Sequence, residues 1–145
     1  MDADFSHDPK YLPDLLFAVK DCDVVVGSRY VNGVGIVNWP LYRLALSAAA
    51  NRYISIFSGM PLKDCTSGFV CYKKYALSKI DFSKISSTGY AFLFELKFRL
   101  FKQGFKIREV PIIFTERRAG NTKISGRVIT EAFLAVLKLR FQKHV

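Results

Sequence analysis

Asp21-Cys22-Asp23-Val24-Val25-Val26-Gly27-Ser28-Arg29-Tyr30 sets three consecutive valines between an acidic turn and a glycine. A β-branched run without polar alternation predicts a strand covered on both faces, the pattern of a sheet inside an α/β structure. Gly27-Ser28 ends the run and leaves Arg29 at the strand's carboxyl end, where such sheets bind ligands. On the amino-terminal side, Leu15, Leu16, Ala18 and Val19 follow Asp8-Pro9 and Pro13 and give a brief helix with one apolar face. On the other side, residues 30–39 carry Gly33 and Gly35 without a period, and read as a mobile loop over a site.

Further out the same two periods recur. Residues 41 to about 57 are alanine-rich and helical, closed by Gly59-Met60-Pro61. Arg43, Ser47 and Asn51 stand four apart there, so their side chains line one stripe. Residues 64–68 form a turn and 69–72 a strand; 76–80 give a short helix and 90–102 a longer one, with Phe94, Phe98 and Phe101 on one face. Residues 106–114 alternate as a strand despite Pro111, which predicts an edge or a bulge. A polar loop over 115–123 precedes one amphipathic helix over about 125–143. The expected fold is a single α/β unit with a mixed sheet and flanking helices.

With 145 residues, half of them hydrophobic, the chain is long enough for one core. No run of about 18 apolar residues occurs, and no basic-then-apolar leader opens the chain, so neither a membrane span nor secretion is indicated. Any membrane contact is expected to be peripheral, on a cytoplasmic face. Cys22, Cys65 and Cys71 lack the spacing of a disulfide framework or a zinc site and read as reduced, buried thiols. Charge is divided: residues 1–72 hold 6 Lys+Arg and 7 Asp+Glu, residues 73–145 hold 16 and 5. An acidic start beside a basic remainder suits a cation at one end and phosphates or an anionic membrane at the other. Nucleic acid is the competing polyanion, but no nucleic-acid-binding module signature is present and no such partner is expected.

Asp2-Ala3-Asp4 is a D-x-D pair, and two carboxylates one residue apart can reach one Mg²⁺ or Mn²⁺ and, through it, a diphosphate. Alone the pair is weak. It is followed in order by Gly-Ser-Arg-Tyr (27–30), Asn-Trp-Pro (38–40), Asp-Cys-Thr-Ser-Gly-Phe (64–69) and Arg-Arg-Ala-Gly-Asn-Thr-Lys (117–123). With Met-Asp-Ala-Asp-Phe-Ser-His-Asp-Pro (1–9), these blocks resemble the polyprenol-phosphate (dolichol-phosphate) mannosyltransferase group of the family-two, GT-A-fold glycosyltransferases. The resemblance implies a partial GT-A fold, its C-terminal half, with about 80 or more residues of nucleotide-binding half-domain ahead of the D-x-D. It also implies inverting, metal-dependent transfer of mannose from GDP-mannose to a polyprenyl phosphate. A glucosyl donor, or a noncatalytic basic module for a membrane or nucleic acid, are the alternatives.

The residues support the same chemistry. Breaking a sugar–diphosphate bond builds charge on the leaving group, which a cation stabilises. By resemblance Asp4 ligates the metal and Asp2 lies near the ribose or the metal's water shell. Ser6 stands where the family often has a glutamine ligand, so Ser6, His7 or water is the third ligand. The lipid monophosphate, with a second pKa near 6, is already the nucleophile and needs cationic forks that hold it in line. Arg29, Arg43 and Ser47 match those positions. Arg117, Arg118 and Lys123 resemble a phosphate clamp. Asp64 is assigned sugar orientation, or base, and Glu95 either faces the sugar pocket or is a surface glutamate. Trp39, Phe57 and the basic last helix are candidates for bilayer contact, although the helix's apolar stripe suits covering the sheet. A membrane subunit or the missing half are the expected partners.

Overall fold

In the computed structural model, the structure describes residues 1, 4, 6–85, 87–116 and 136–140. Two ladders organise it. The first has strand order β3-β1-β4, with β1 (Val24–Ser28) in the middle, antiparallel to β3 (Val70–Tyr72) and parallel to β4 (Ile107–Pro111). The second pairs β2 (Ile36–Val37) with β5 (Phe114–Thr115) in parallel. The sheet is therefore mixed, as expected.

Val24, Val25 and Val26 are wholly buried because both faces of β1 are covered. Val25 packs with Leu15 and Ala18 of α1 (Leu12–Ala18), together with Phe69 and Ile112. Val24 and Val26 face Ala76 of α3 (Lys74–Leu77) and Leu96 and Leu100 of α4 (Gly89–Lys102). Each valine so buried contributes about 1.5–3 kcal/mol. A third cluster joins Ile54 of α2 (Leu41–Ser58), Met60, Leu62, Cys65, Phe94 and Phe98 to Val136 and Leu139 of the helical segment 136–140. The apolar side of that segment thus serves the core.

α2 opens at Pro40, whose carbonyl accepts from the Arg43 and Leu44 amides. It closes at Gly59, which adopts φ 73°, a left-handed conformation that costs glycine little. The short helix expected over 76–80 instead spans Lys74–Leu77, because Lys73 takes the extended cap position. The strand expected over 106–114 is broken. Pro111 ends β4 on the sheet edge; the Ile112 amide donates to Ser28 and the Phe114 amide to Gly35, starting the second ladder.

The segment expected to be an irregular loop is pinned at both ends. The Gly35 amide donates to Arg29 O at 2.7 Å, and Ile36–Val37 form β2. Gly35 is required by close approach: a Cβ there would lie 2.1 Å from Ile112 O. Gly35→Ala is therefore expected to force the two backbones apart at a cost of about 1–3 kcal/mol, read as a lower urea midpoint. An unchanged midpoint would show that the β2–β5 ladder yields freely.

Candidate functional site

Asp64 lies in the turn before β3, with no exposed surface, and Arg29 reaches it from the end of β1. Arg29 Nε and Nη2 donate to the two carboxylate oxygens at 2.7 Å each, and the Arg29 amide donates to Oδ2 at 3.0 Å. Nη2 also donates to Thr66 Oγ1 at 2.9 Å. Burial raises the Asp64 pKa, but the hydrogen bonds and charge of Arg29 outweigh it and hold the carboxyl below its usual range. A carboxylate held ionised in this way is a weak general base and a firm positioning group for Arg29. Glu109 of β4 fixes the turn from behind, accepting from the Lys63 and Asp64 amides.

The α2 stripe faces this pair. Asn51 is buried and accepts from the Thr66 amide and hydroxyl, at 3.2 and 3.3 Å. Ser47 Oγ accepts from the Tyr30 hydroxyl at 2.7 Å. The Arg43 guanidinium sits 4.0 Å from the Trp39 ring centroid and pairs with Glu116. Arg29 also lies over Trp39, at 5.6 Å. Both arginines thus meet at one indole, whose buried Nε1–H has no acceptor among the described residues. Trp39 packs edge-on against Phe114. The half-buried ring is thus engaged between the arginines and β5.

The acidic segment reaches the same place along β5. His7 bridges to Phe114, its ring centroid 5.0 Å from that of Phe69 in a tilted contact and 5.3 Å from that of Phe114 edge-on. The Thr115 amide donates to Ser6 O. The Asp4 carboxylate accepts from the Ser6 amide at 3.1 Å and from the Ser6 hydroxyl. Asp4, Ser6, Arg29, Arg43, Ser47 and Asp64 are therefore linked through two strand ends and one indole. Among the described residues, no three His, Cys, Asp or Glu side chains stand together as a metal group. Asp2, Arg117, Arg118 and Lys123 lie outside the described residues.

Glu95 is placed elsewhere. It is fully buried rather than on the surface: one oxygen accepts from Arg99 at 2.7–2.8 Å and the other from the Ser87 amide. Among the described residues, no hydrogen bond or ion pair joins it to the other candidates. All three cysteines are free, and Cys71 is only half-buried; burial pushes the Cys65 thiol up to about 12.

Three residues of this neighbourhood were given no role by the sequence reading. Glu116 partners Arg43, and Thr66 links Arg29 to Asn51. Lys97 of α4 is wholly buried and donates from Nζ to Ser67 O at 2.7 Å. The spacing of Lys97 from Phe94 and Phe101, three and four residues, puts it on their apolar face and was the available signal.

Sequence comparison gives the same picture. The chain is 46% identical over 137 residues to polyprenol monophosphomannose synthase of Mycolicibacterium smegmatis, covering 94% of this chain and 52% of that protein. It is 44% identical over 138 residues to undecaprenyl-phosphate mannosyltransferase of Micrococcus luteus, covering 95% of this chain and 57% of that protein. The chain is homologous to polyprenyl-phosphate mannosyltransferases. It spans about half the length of these two homologues. No protein-family model matches it. Among the described residues, no helix is long and apolar enough to cross a membrane.

Proposed function

We propose that this chain forms the metal- and acceptor-binding part of an enzyme transferring mannose from GDP-mannose to a polyprenyl monophosphate with inversion. One observation carries the reading: Arg29 and Arg43 converge on Trp39, whose buried indole N–H has no acceptor among the described residues. An anionic phosphate would give that donor an acceptor and would meet two guanidiniums already aimed by Asp64 and Glu116. The neighbouring Ser47 hydroxyl adds a further polar contact.

The donor side rests on Asp4 with Asp2, hard oxygen ligands suited to Mg²⁺ or Mn²⁺. The cation's chemistry would be neutralisation of the departing diphosphate. Asp4 fits as a ligand because the Ser6 amide and hydroxyl both orient its Oδ1; Ser6 then acts by holding Asp4. Arg117, Arg118 and Lys123 complete the phosphate contacts in this reading. Asp64 orients Arg29, and the prenyl phosphate, doubly ionised near neutrality, attacks without a protein base.

A membrane-bound acceptor also requires a way to meet the bilayer. α2 exposes Leu41, Tyr42, Leu46, Ile56 and Phe57 beside the arginine site, which supports peripheral contact by this helix.

Calorimetric titration tests both halves. Geranyl phosphate is expected to bind this chain. GDP-mannose, preferred over UDP-glucose, is expected to bind in a Mn²⁺-dependent way, on this chain or on a chimaera carrying the unmatched part of the Mycolicibacterium protein. Asp4→Asn should abolish the Mn²⁺ dependence while leaving geranyl phosphate binding intact. Equal GDP-mannose affinity with and without Mn²⁺ would remove the metal from the scheme. Salt-sensitive binding of RNA in place of geranyl phosphate would overturn the acceptor assignment.

A further inference from the structure

Lys97 has no role in the reaction as described, yet its position is costly. Its side chain has no exposed surface, and a buried ammonium carries a large desolvation penalty. A methionine of similar length would fill the same space without that penalty, so core filling alone does not account for a lysine here.

The ammonium donates to the carbonyl of Ser67 at 2.7 Å. Ser67 in turn donates from its hydroxyl to Gly27 O at 2.6 Å, while the Gly27 amide donates to Phe69 O at 2.7 Å. Ser67 therefore clasps the 64–69 turn to the carboxyl end of β1, two residues before Arg29. The groups facing Lys97 are Asp64 and Cys65 of the turn, Arg29 after β1 and Glu109 of β4. The Lys97 charge also helps to keep Asp64 ionised.

We propose that Lys97 is a positioning residue, whose buried ammonium fixes the 64–69 turn and, through Ser67 and Gly27, holds the Arg29–Asp64 pair in the geometry that receives a phosphate. The phosphate readout rests on the acceptor assignment above; the placement of Arg29 does not. Burial pushes Lys97 down to about 8, so the device should discharge just above neutrality, whereas the Cys65 thiol stays protonated there.

The test uses the whole chain, ¹⁵N-labelled, with Lys97→Met and, as a second variant, Ser67→Ala. In the wild type, the Arg29 Nε–H resonance should shift with a midpoint near pH 8, and geranyl phosphate affinity should fall several-fold across the same midpoint. Lys97→Met should lack the resonance step, bind geranyl phosphate at least several-fold more weakly at pH 7, and show no further loss up to pH 9. Ser67→Ala should displace the Arg29 resonance at every pH.

The unfolding midpoint of Lys97→Met relative to wild type gives an independent check. Because the folded lysine titrates below its unfolded value, the wild type should gain on the variant as pH rises from about 8 to 10. A wild-type Arg29 resonance that stays flat between pH 7 and 9.5 overturns the proposal even if Lys97→Met does not fold, as does wild-type affinity and an unmoved Arg29 signal in that variant. Failure of the wild type to bind geranyl phosphate at any pH would count against the acceptor assignment, leaving the resonance to decide the role of Lys97.

Discussion

Asp64→Asn is expected to lower the free energy of unfolding by about 3–5 kcal/mol, because it removes one partner of a buried ion pair and leaves the other charged. Arg29 is only 9% exposed and directs its amide, Nε and Nη2 at this one carboxylate. Asparagine keeps the shape but presents an amide nitrogen where Arg29 needs an acceptor. The pH dependence separates this loss from simple mispacking. With its folded pKa below the unfolded value, Asp64 contributes stability fully above the unfolded pKa and loses it as pH falls through the lowered value. Urea unfolding should therefore show a large gap between wild type and Asp64→Asn at pH 7 that narrows towards pH 3. A gap of equal size at both pH values would mean that the pair's charge is not what holds the turn.

Arg43→Ala is expected to weaken geranyl phosphate binding by roughly ten- to hundredfold, the loss of a charged hydrogen-bond donor worth about 1.5–3 kcal/mol. Stability should fall as well, since the Arg43 side chain is only 12% exposed, over Trp39 and against Glu116, so binding is compared under conditions where the variant is folded. Glu116 sharpens the expectation because its carboxylate occupies the guanidinium that the phosphate would use. Glu116→Gln should therefore tighten geranyl phosphate binding while Arg43→Ala loosens it. If both variants weaken binding alike, Glu116 aims Arg43 instead of competing for it. If neither changes binding, Arg43 has no part in holding the acceptor.

The large elements were legible wherever a period ran long enough. Three valines announced β1, alanine-rich spacing announced α2, and the Phe94, Phe98 and Phe101 face announced α4. The β2–β5 ladder was not, because two residues have no period and their pairing depends on how closely Gly35 approaches Ile112. Ile112, Ile113 and Phe114 continue an apolar, strand-forming run past Pro111, which concealed the break between β4 and β5. At the site, the four-residue spacing of Arg43 and Ser47 placed them together before any coordinates. The Arg29–Asp64 fork joins residues 35 apart, a separation that carries no local signal. Lys97 was passed over because a lysine in an amphipathic helix is usually solvent-facing.

The attachment of the opening segment to β5 also bears on the order of folding. Ser6 and His7 meet Thr115 and Phe114 across more than a hundred residues of sequence, and closing so long a loop is an entropic cost that local contacts do not offset. Helices such as α2 and α4 can form early from neighbouring residues, whereas the acidic segment gains its contacts only after β5 is in place. In quenched-flow hydrogen exchange the Thr115 amide should accordingly be among the last to gain protection, after the amides of α2 and α4.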